Sequence, residues 1–170
     1  MPNAADKLKR RLSGYWKMEA GNVLLLPVFL LFLSKGNLGW VSALCIIPMS
    51  VMLAIGAYYW RAKLKRLEHH SYRFSDAISL IARLQWPVLG LILIACLGLC
   101  FAWVTPGLFT GDWDKGAATF AAIMAVLEYV NYYHRQLQHF DHNEDFQRLL
   151  SGNGLRPSQM AKDLKIYHGR

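Results

Sequence analysis

Hydrophobic residues in this chain gather into four long runs, at 16–35, 39–60, 84–105 and 117–137, separated by short segments rich in charge or in turn formers. Each run approaches the ~20 residues that a helix needs to cross about 30 Å of hydrocarbon. Between the first two runs, Ser34-Lys35-Gly36-Asn37 is a tight turn that makes those spans adjacent and antiparallel. The second run closes on Tyr58-Tyr59-Trp60 and then Arg61, an aromatic belt against a basic flank of the kind that marks a membrane boundary. The pattern predicts an all-α integral membrane protein built as a four-transmembrane-helix antiparallel bundle. Pro27, near the middle of the first run, removes a backbone donor and is expected to kink that helix.

Amphipathic spacing extends beyond the runs. Leu8, Leu12, Tyr15 and Trp16 recur at helical intervals among Lys7, Lys9, Arg10 and Arg11, which predicts an interfacial helix at 5–15. Ser75-Asp76 supplies a helix start for a second interfacial helix at 75–83, with Ile78, Leu80 and Ile81 on it. The fourth run does not stop at the bilayer: helical spacing continues to Leu150, so the fourth helix is expected to extend into the cytoplasm. Ser151-Gly152-Asn153-Gly154 then breaks it, and Pro157-Ser158 opens a short amphipathic helix with Met160, Leu164 and Tyr167 as its apolar positions. The domain organisation is therefore a transmembrane domain over 1–137 and a cytoplasmic helical extension with an amphipathic tail over 138–170.

The fourth run contains a carboxylate, Glu128. For a helix starting near Gly116 it lies ~18 Å along the axis, close to the bilayer centre, where a charge costs ~3 kcal/mol or more. Such a group has to face the protein interior, find a partner or bind its proton. At about 100° per residue, Ala117, Ala121 and Met124 share its face on one side, and Asn131, Tyr132 and Arg135 on the other, while His134 points elsewhere. Asn22 in the first run falls near the depth of Glu128 and Asn131, with Glu19 on the same run and Arg83 and Gln85 at the start of the third closer to the inner boundary. Together these residues predict a buried polar cluster in the cytoplasmic half of the bundle: Glu128, Asn131, Tyr132, Arg135, Glu19, Asn22, Arg83 and Gln85.

Charge fixes the orientation. The 170 residues are 54% hydrophobic and carry a net charge of +8, with a mean hydropathy of +0.19. Seventeen of the nineteen Lys and Arg residues flank the ends of the runs that share a side with the N- and C-termini, and only Lys35 and Lys115 lie in the other loops. Basic loops stay cytoplasmic, so both termini are expected inside. The charge then serves topology and contact with anionic lipid headgroups, and the chain has no nucleic-acid partner. Ser34-Lys35-Gly36-Asn37 lacks a small-x-small cleavage pattern, which argues for a retained first span. These features suit the bacterial cytoplasmic (inner) membrane.

Cys45, Cys96 and Cys100 all fall inside runs and are too few and too odd in number for a disulfide framework. His139, His142 and Asp145 follow one another at i, i+3, i+6 on the extension and form a candidate divalent-metal site, with solvated histidines as the plainer reading. No cofactor is implied. The chain has no P-loop, no G-x-S-x-G elbow and no H-E-x-x-H, which argues against soluble-type enzyme chemistry and leaves a membrane enzyme open. The leading expectation is a homo-oligomeric membrane protein whose polar inner half forms an ion or small-solute path. The alternatives are a non-catalytic scaffold or sensor that recruits a protein partner through its tail, and an interfacial enzyme acting on a lipophilic or anionic-headgroup substrate.

Overall fold

The computed structural model describes residues 3–69, 71–137 and 155–169, and these form five α-helices and no strand. Four long helices, α1 (Ala4–Leu33), α2 (Trp40–Glu68), α3 (Phe74–Val104) and α4 (Asp112–Tyr133), run up and down the bundle, and α5 (Gln159–His168) closes one end. Helix α2 is the hub: it packs against α1, α3 and α4, whereas α1 leans almost entirely on α2. Accordingly α2 buries a broad face, with Val41, Cys45, Met49, Met52, Leu53 and Tyr59 each 2% exposed or less, and turns Trp40, Ile47 and Tyr58 outward.

The expected interfacial helices at 5–15 and 75–83 are the first turns of α1 and α3, continuous with the spans that follow. Nothing breaks the helix between Tyr15 and Trp16 or between Arg83 and Leu84, and Lys, Arg and Leu propagate it well. At ~1.5 Å per residue the thirty residues of α1 reach about 45 Å, enough to carry the basic first turns beyond the hydrocarbon without a bend. Pro27, Pro48 and Pro87 all lie within uninterrupted helices.

Three helices, α1 from Ala5, α2 and α3, are long and apolar enough to cross a membrane. The surfaces they leave exposed are apolar: Leu24, Leu25, Val28, Phe29 and Phe32 on α1, and Leu93, Ile94, Leu97, Phe101 and Val104 on α3. A water-facing helix would carry polar residues at such positions. Trp40, Trp86, Trp103 and Trp113 also point outward. Helix α4 is less apolar, with Asp112, Asp114, Lys115 and Glu128 in its 22 residues. It turns a face of small residues, Ala117, Ala118, Ala121, Ala122 and Ala125, into the core. Small side chains allow close helix approach, which in an apolar solvent yields dispersion and packing rather than hydrophobic gain.

At the end away from the termini, Asp114 fastens α4 to α2. Its carboxylate accepts from the Gly39 amide at 2.8 Å, the Ser42 hydroxyl at 2.5 Å and the Thr110 amide at 2.9 Å. The Ser42 hydroxyl also approaches the Asp114 carbonyl oxygen at 2.9 Å. Asp114 is 1% exposed, and its placement follows from helix physics: an acidic residue in the first turn of α4 faces the unbonded amide at the start of α2. Gly39 leaves the space for it, since a Cβ there would lie 2.7 Å from Asp114 Oδ2.

At the other end α4 stops at Tyr133 and does not continue into the expected cytoplasmic extension through 137. The His134 and Arg135 amides both return to the Val130 carbonyl, at 3.0 and 2.8 Å, and the Asn131 side chain takes the Leu137 amide at 2.8 Å. An asparagine that captures a downstream amide competes with the helical ladder and ends it. The chain then pairs with the approach to α5: Gln136 donates to the Arg156 carbonyl at 2.9 Å and Ser158 to the His134 carbonyl at 3.2 Å, around an isolated bridge between Arg135 and Pro157.

Candidate functional site

A cavity of about 460 Å³ opens at the termini end, between α1, α2, the end of α4 and the start of α5. Each wall has a local cause. Helix α1 contributes Tyr15, Met18 and Glu19, spaced i, i+3, i+4 so that they share one face. Helix α2 contributes Tyr59 and Trp60, whose rings meet at 5.0 Å between centroids, and Trp60 meets Tyr15 at 5.2 Å. Helix α4 supplies Asn131 and Tyr132, and α5 with its cap forms the floor through Ser158, Gln159 and Met160.

The polar centre is the pair Glu19 and Tyr132. The Tyr132 hydroxyl donates to Glu19 Oε1 at 2.5 Å, joining α4 to α1 across the edge of α2, and both residues are about 3% exposed. The crossing is possible because α2 has Gly56 at that level: a Cβ there would lie 2.2 Å from the Tyr132 hydroxyl oxygen and 2.4 Å from Cζ. Glu128, 6% exposed, lies within electrostatic reach of Glu19 and is approached by the Asn131 amide at 3.5 Å. Glu19 lines the cavity with Glu128 buried behind it, and no Lys or Arg is hydrogen-bonded or ion-paired to either among the described residues, which makes this end of the cavity attractive to positive charge.

The sequence-predicted cluster separates into three groups. Glu19, Asn131, Tyr132 and Glu128 come together. Asn22 and Gln85 are half-buried on α1 and α3. Arg83 and Arg135 do not join: both are exposed, and Arg135 Nη1 donates to the Leu155 carbonyl at 2.8 Å. Long cationic side chains near a boundary reach for water, and because the helix ends at Tyr133 the angle projected for Arg135 no longer applies. His139, His142 and Asp145 lie outside the described residues. Among the described residues no three His, Cys, Asp or Glu side chains converge on a metal-holding position. Cys45 is buried with its thiol 3.8 Å from the Ala95 carbonyl, while Cys100 is exposed.

The cavity floor was only partly legible as a site. Ser158 caps α5 by accepting from the Ala161 amide at 2.9 Å and donates its own proton to the Tyr132 carbonyl. Helix α5 then buries Met160 and Leu164 against the bundle, leaving Tyr167 exposed. Asp163 completes the dock: it accepts from the Tyr59 hydroxyl at 2.6 Å and pairs with Lys63 at 3.1 Å. Replacing Asp163 with Ala leaves the Tyr59 hydroxyl without its acceptor, a loss of about 1.5–3 kcal/mol for a hydrogen bond to a charged group. Limited proteolysis should then cut within α5 at least tenfold faster than in the native chain, while helicity elsewhere is retained.

In the sequence Tyr59 and Trp60 mark a membrane belt, and their second role as cavity wall has no signal beyond their aromatic character. Gly56 has one, since an isolated glycine within a helical pattern often marks a close approach. No family model, curated protein or solved structure matches this chain, so the chemistry of the cavity is what points to function.

Proposed function

We propose that this is a four-span membrane protein, with both termini cytoplasmic, that takes up a small cationic solute in its termini-end cavity. The observation that carries the reading is the lining: a buried carboxylate, Glu19, beside the rings of Tyr15, Tyr59, Trp60 and Tyr132. Aromatic faces and a carboxylate are the two elements that hold an ammonium group, the first through the ring quadrupole and the second through charge. Asn131, Gln136 and Gln159 add hydrogen-bonding capacity at the rim.

Four spans are supported by the length of α4, whose 22 residues reach about 33 Å, with Asp114 fastened at one end of the bundle and Tyr132 at the other. Cytoplasmic termini are supported by the seventeen basic residues on that side, in keeping with a bacterial-type inner membrane. Beyond the cavity, Met49, Met52, Ala118 and Ala121 are fully buried, so a single copy favours binding from one side over conduction. An ion or solute path across the membrane would run between copies of a homo-oligomer. In the scaffold alternative the tail would recruit a partner, but Met160 and Leu164, two of its three apolar positions, already pack on the bundle.

The test is titration of the detergent-solubilised full chain with tetramethylammonium, choline and ethylammonium by calorimetry. Native protein is expected to bind at least one of them, and Glu19→Gln should weaken that affinity tenfold or more, about 1.4 kcal/mol, while keeping its helicity. Absence of binding by the native chain, or equal affinity in the variant, refutes the assignment.

A further inference from the structure

A second cavity, of about 450 Å³, lies where α2 ends and α3 begins. Its polar side is made by Arg66, the Tyr72 ring, Arg73 and Ser75, and its apolar side by Ile78 and Ile166. Asp163 also borders it, but that carboxylate is occupied by Lys63 and the Tyr59 hydroxyl, so the cavity retains the charge of two guanidinium groups. Lys65 stands over Tyr72 at 5.6 Å and Arg66 over Phe74 at 5.1 Å. The Phe74 ring thus steadies Arg66, one of the two guanidinium groups that line the cavity.

We propose that this cavity binds a net-negative phosphate group, and that its source is the headgroup of an acidic phospholipid. A guanidinium fork matches two phosphate oxygens, and the Ser75 hydroxyl, which points to Asp76 Oδ1 at a long 3.4 Å, adds a further donor on rotating toward the group. The lipid source is favoured by position and by shape. The cavity sits just beyond the Tyr58-Tyr59-Trp60 belt, at the level of headgroups, and its cationic wall faces an apolar one that accommodates the glycerol and first methylenes of a chain. A soluble phosphate ester has no use for that wall.

The site has two structural parents, the basic turn before α3 and the docked α5, which supplies Ile166 and Tyr167. An acidic lipid there holds α5 in place, and α5 is also the floor of the first cavity. Lipid composition therefore bears on access to the solute site.

The experiment uses the purified full chain, exposed to equal amounts of phosphatidylglycerol and phosphatidylcholine in mild detergent and examined by native mass spectrometry. The native chain is expected to retain the acidic lipid with at least tenfold preference. The pair Arg66→Gln with Arg73→Gln should bring that preference to within twofold, whereas Lys9→Gln with Arg10→Gln, which removes the same charge from α1, should leave it unchanged. Equal retention of the two lipids overturns the site outright, and equal loss in both variant pairs overturns it in favour of diffuse surface charge. Inorganic phosphate and glycerol phosphate are added in separate arms: failure to displace the lipid upholds the headgroup, and displacement by either at micromolar concentration overturns the lipid source in favour of a soluble phosphate. Cation binding by the first cavity is read separately in each variant, so failure of one site leaves the other assessable.

Discussion

Replacing Gly56 with alanine is expected to be among the most damaging single substitutions in the bundle, although it adds only a methyl group. The new Cβ would stand 2.2 Å from the Tyr132 hydroxyl oxygen and 2.4 Å from Cζ, well inside contact distance. Tyr132 is 3% exposed and its carbonyl is held by Ser158, so the ring yields only into the cavity it lines, which draws its hydroxyl off Glu19. Overpacking of this kind costs about 1–3 kcal/mol, and loss of the Tyr132–Glu19 bond, which strands a buried carboxylate, adds about 1.5–3 kcal/mol. Thermal unfolding in detergent should show a marked fall in midpoint, together with loss of cation binding. Adding Tyr132→Ala to Gly56→Ala removes the clash and should make the double variant more stable than the sum of the two single losses implies. Strict additivity would mean that Gly56 acts elsewhere.

Asp114→Ala is expected to be comparably costly at the opposite end. The substitution removes the acceptor for the Gly39 amide, the Ser42 hydroxyl and the Thr110 amide at once. Each buried donor left unpaired costs about 1–3 kcal/mol, and Ser42 is fully buried. Its hydroxyl retains the Asp114 carbonyl as a second acceptor, so the loss falls mainly on the two amides, for a total of about 3–5 kcal/mol. Asp114→Asn keeps one acceptor oxygen and should lose roughly half as much. Hydrogen exchange offers a local readout: the Gly39 and Thr110 amides should exchange much faster in the alanine variant while those in the middle of α2 stay protected. If Gly39 remains protected, the carboxylate is not its partner.

The four apolar runs and the tight turn after the first were legible because length and hydrophobicity are written residue by residue. So was the face of α4, where Ala117, Ala121, Glu128 and Tyr132 are buried together as a 3.6-residue repeat requires. Helix boundaries were less so. Asn131 reads equally as a member of the buried stripe and as the residue that ends the helix, and only the position of Leu137 decides between them. The same early end moves Arg135 off the projected face. Asp114 carried no signal stronger than an acidic first turn, because its partners Gly39 and Ser42 are more than seventy residues away. The cavity depended on a similar coincidence: Glu19 meets Tyr132 only because a glycine on a third helix lets the ring pass.

The outward placement of Trp40, Trp86, Trp103 and Trp113 makes the light emitted by this protein chiefly a report on its surroundings. Four of its six tryptophans are more than half exposed, so their emission follows the lipid or detergent that touches them. The interior is lit by tyrosine: among the described residues, Tyr59, Tyr129, Tyr132 and Tyr133 are the buried rings. Swapping detergents will shift the spectrum of a fully native chain, and a bundle that has come apart within its micelle can look almost unchanged.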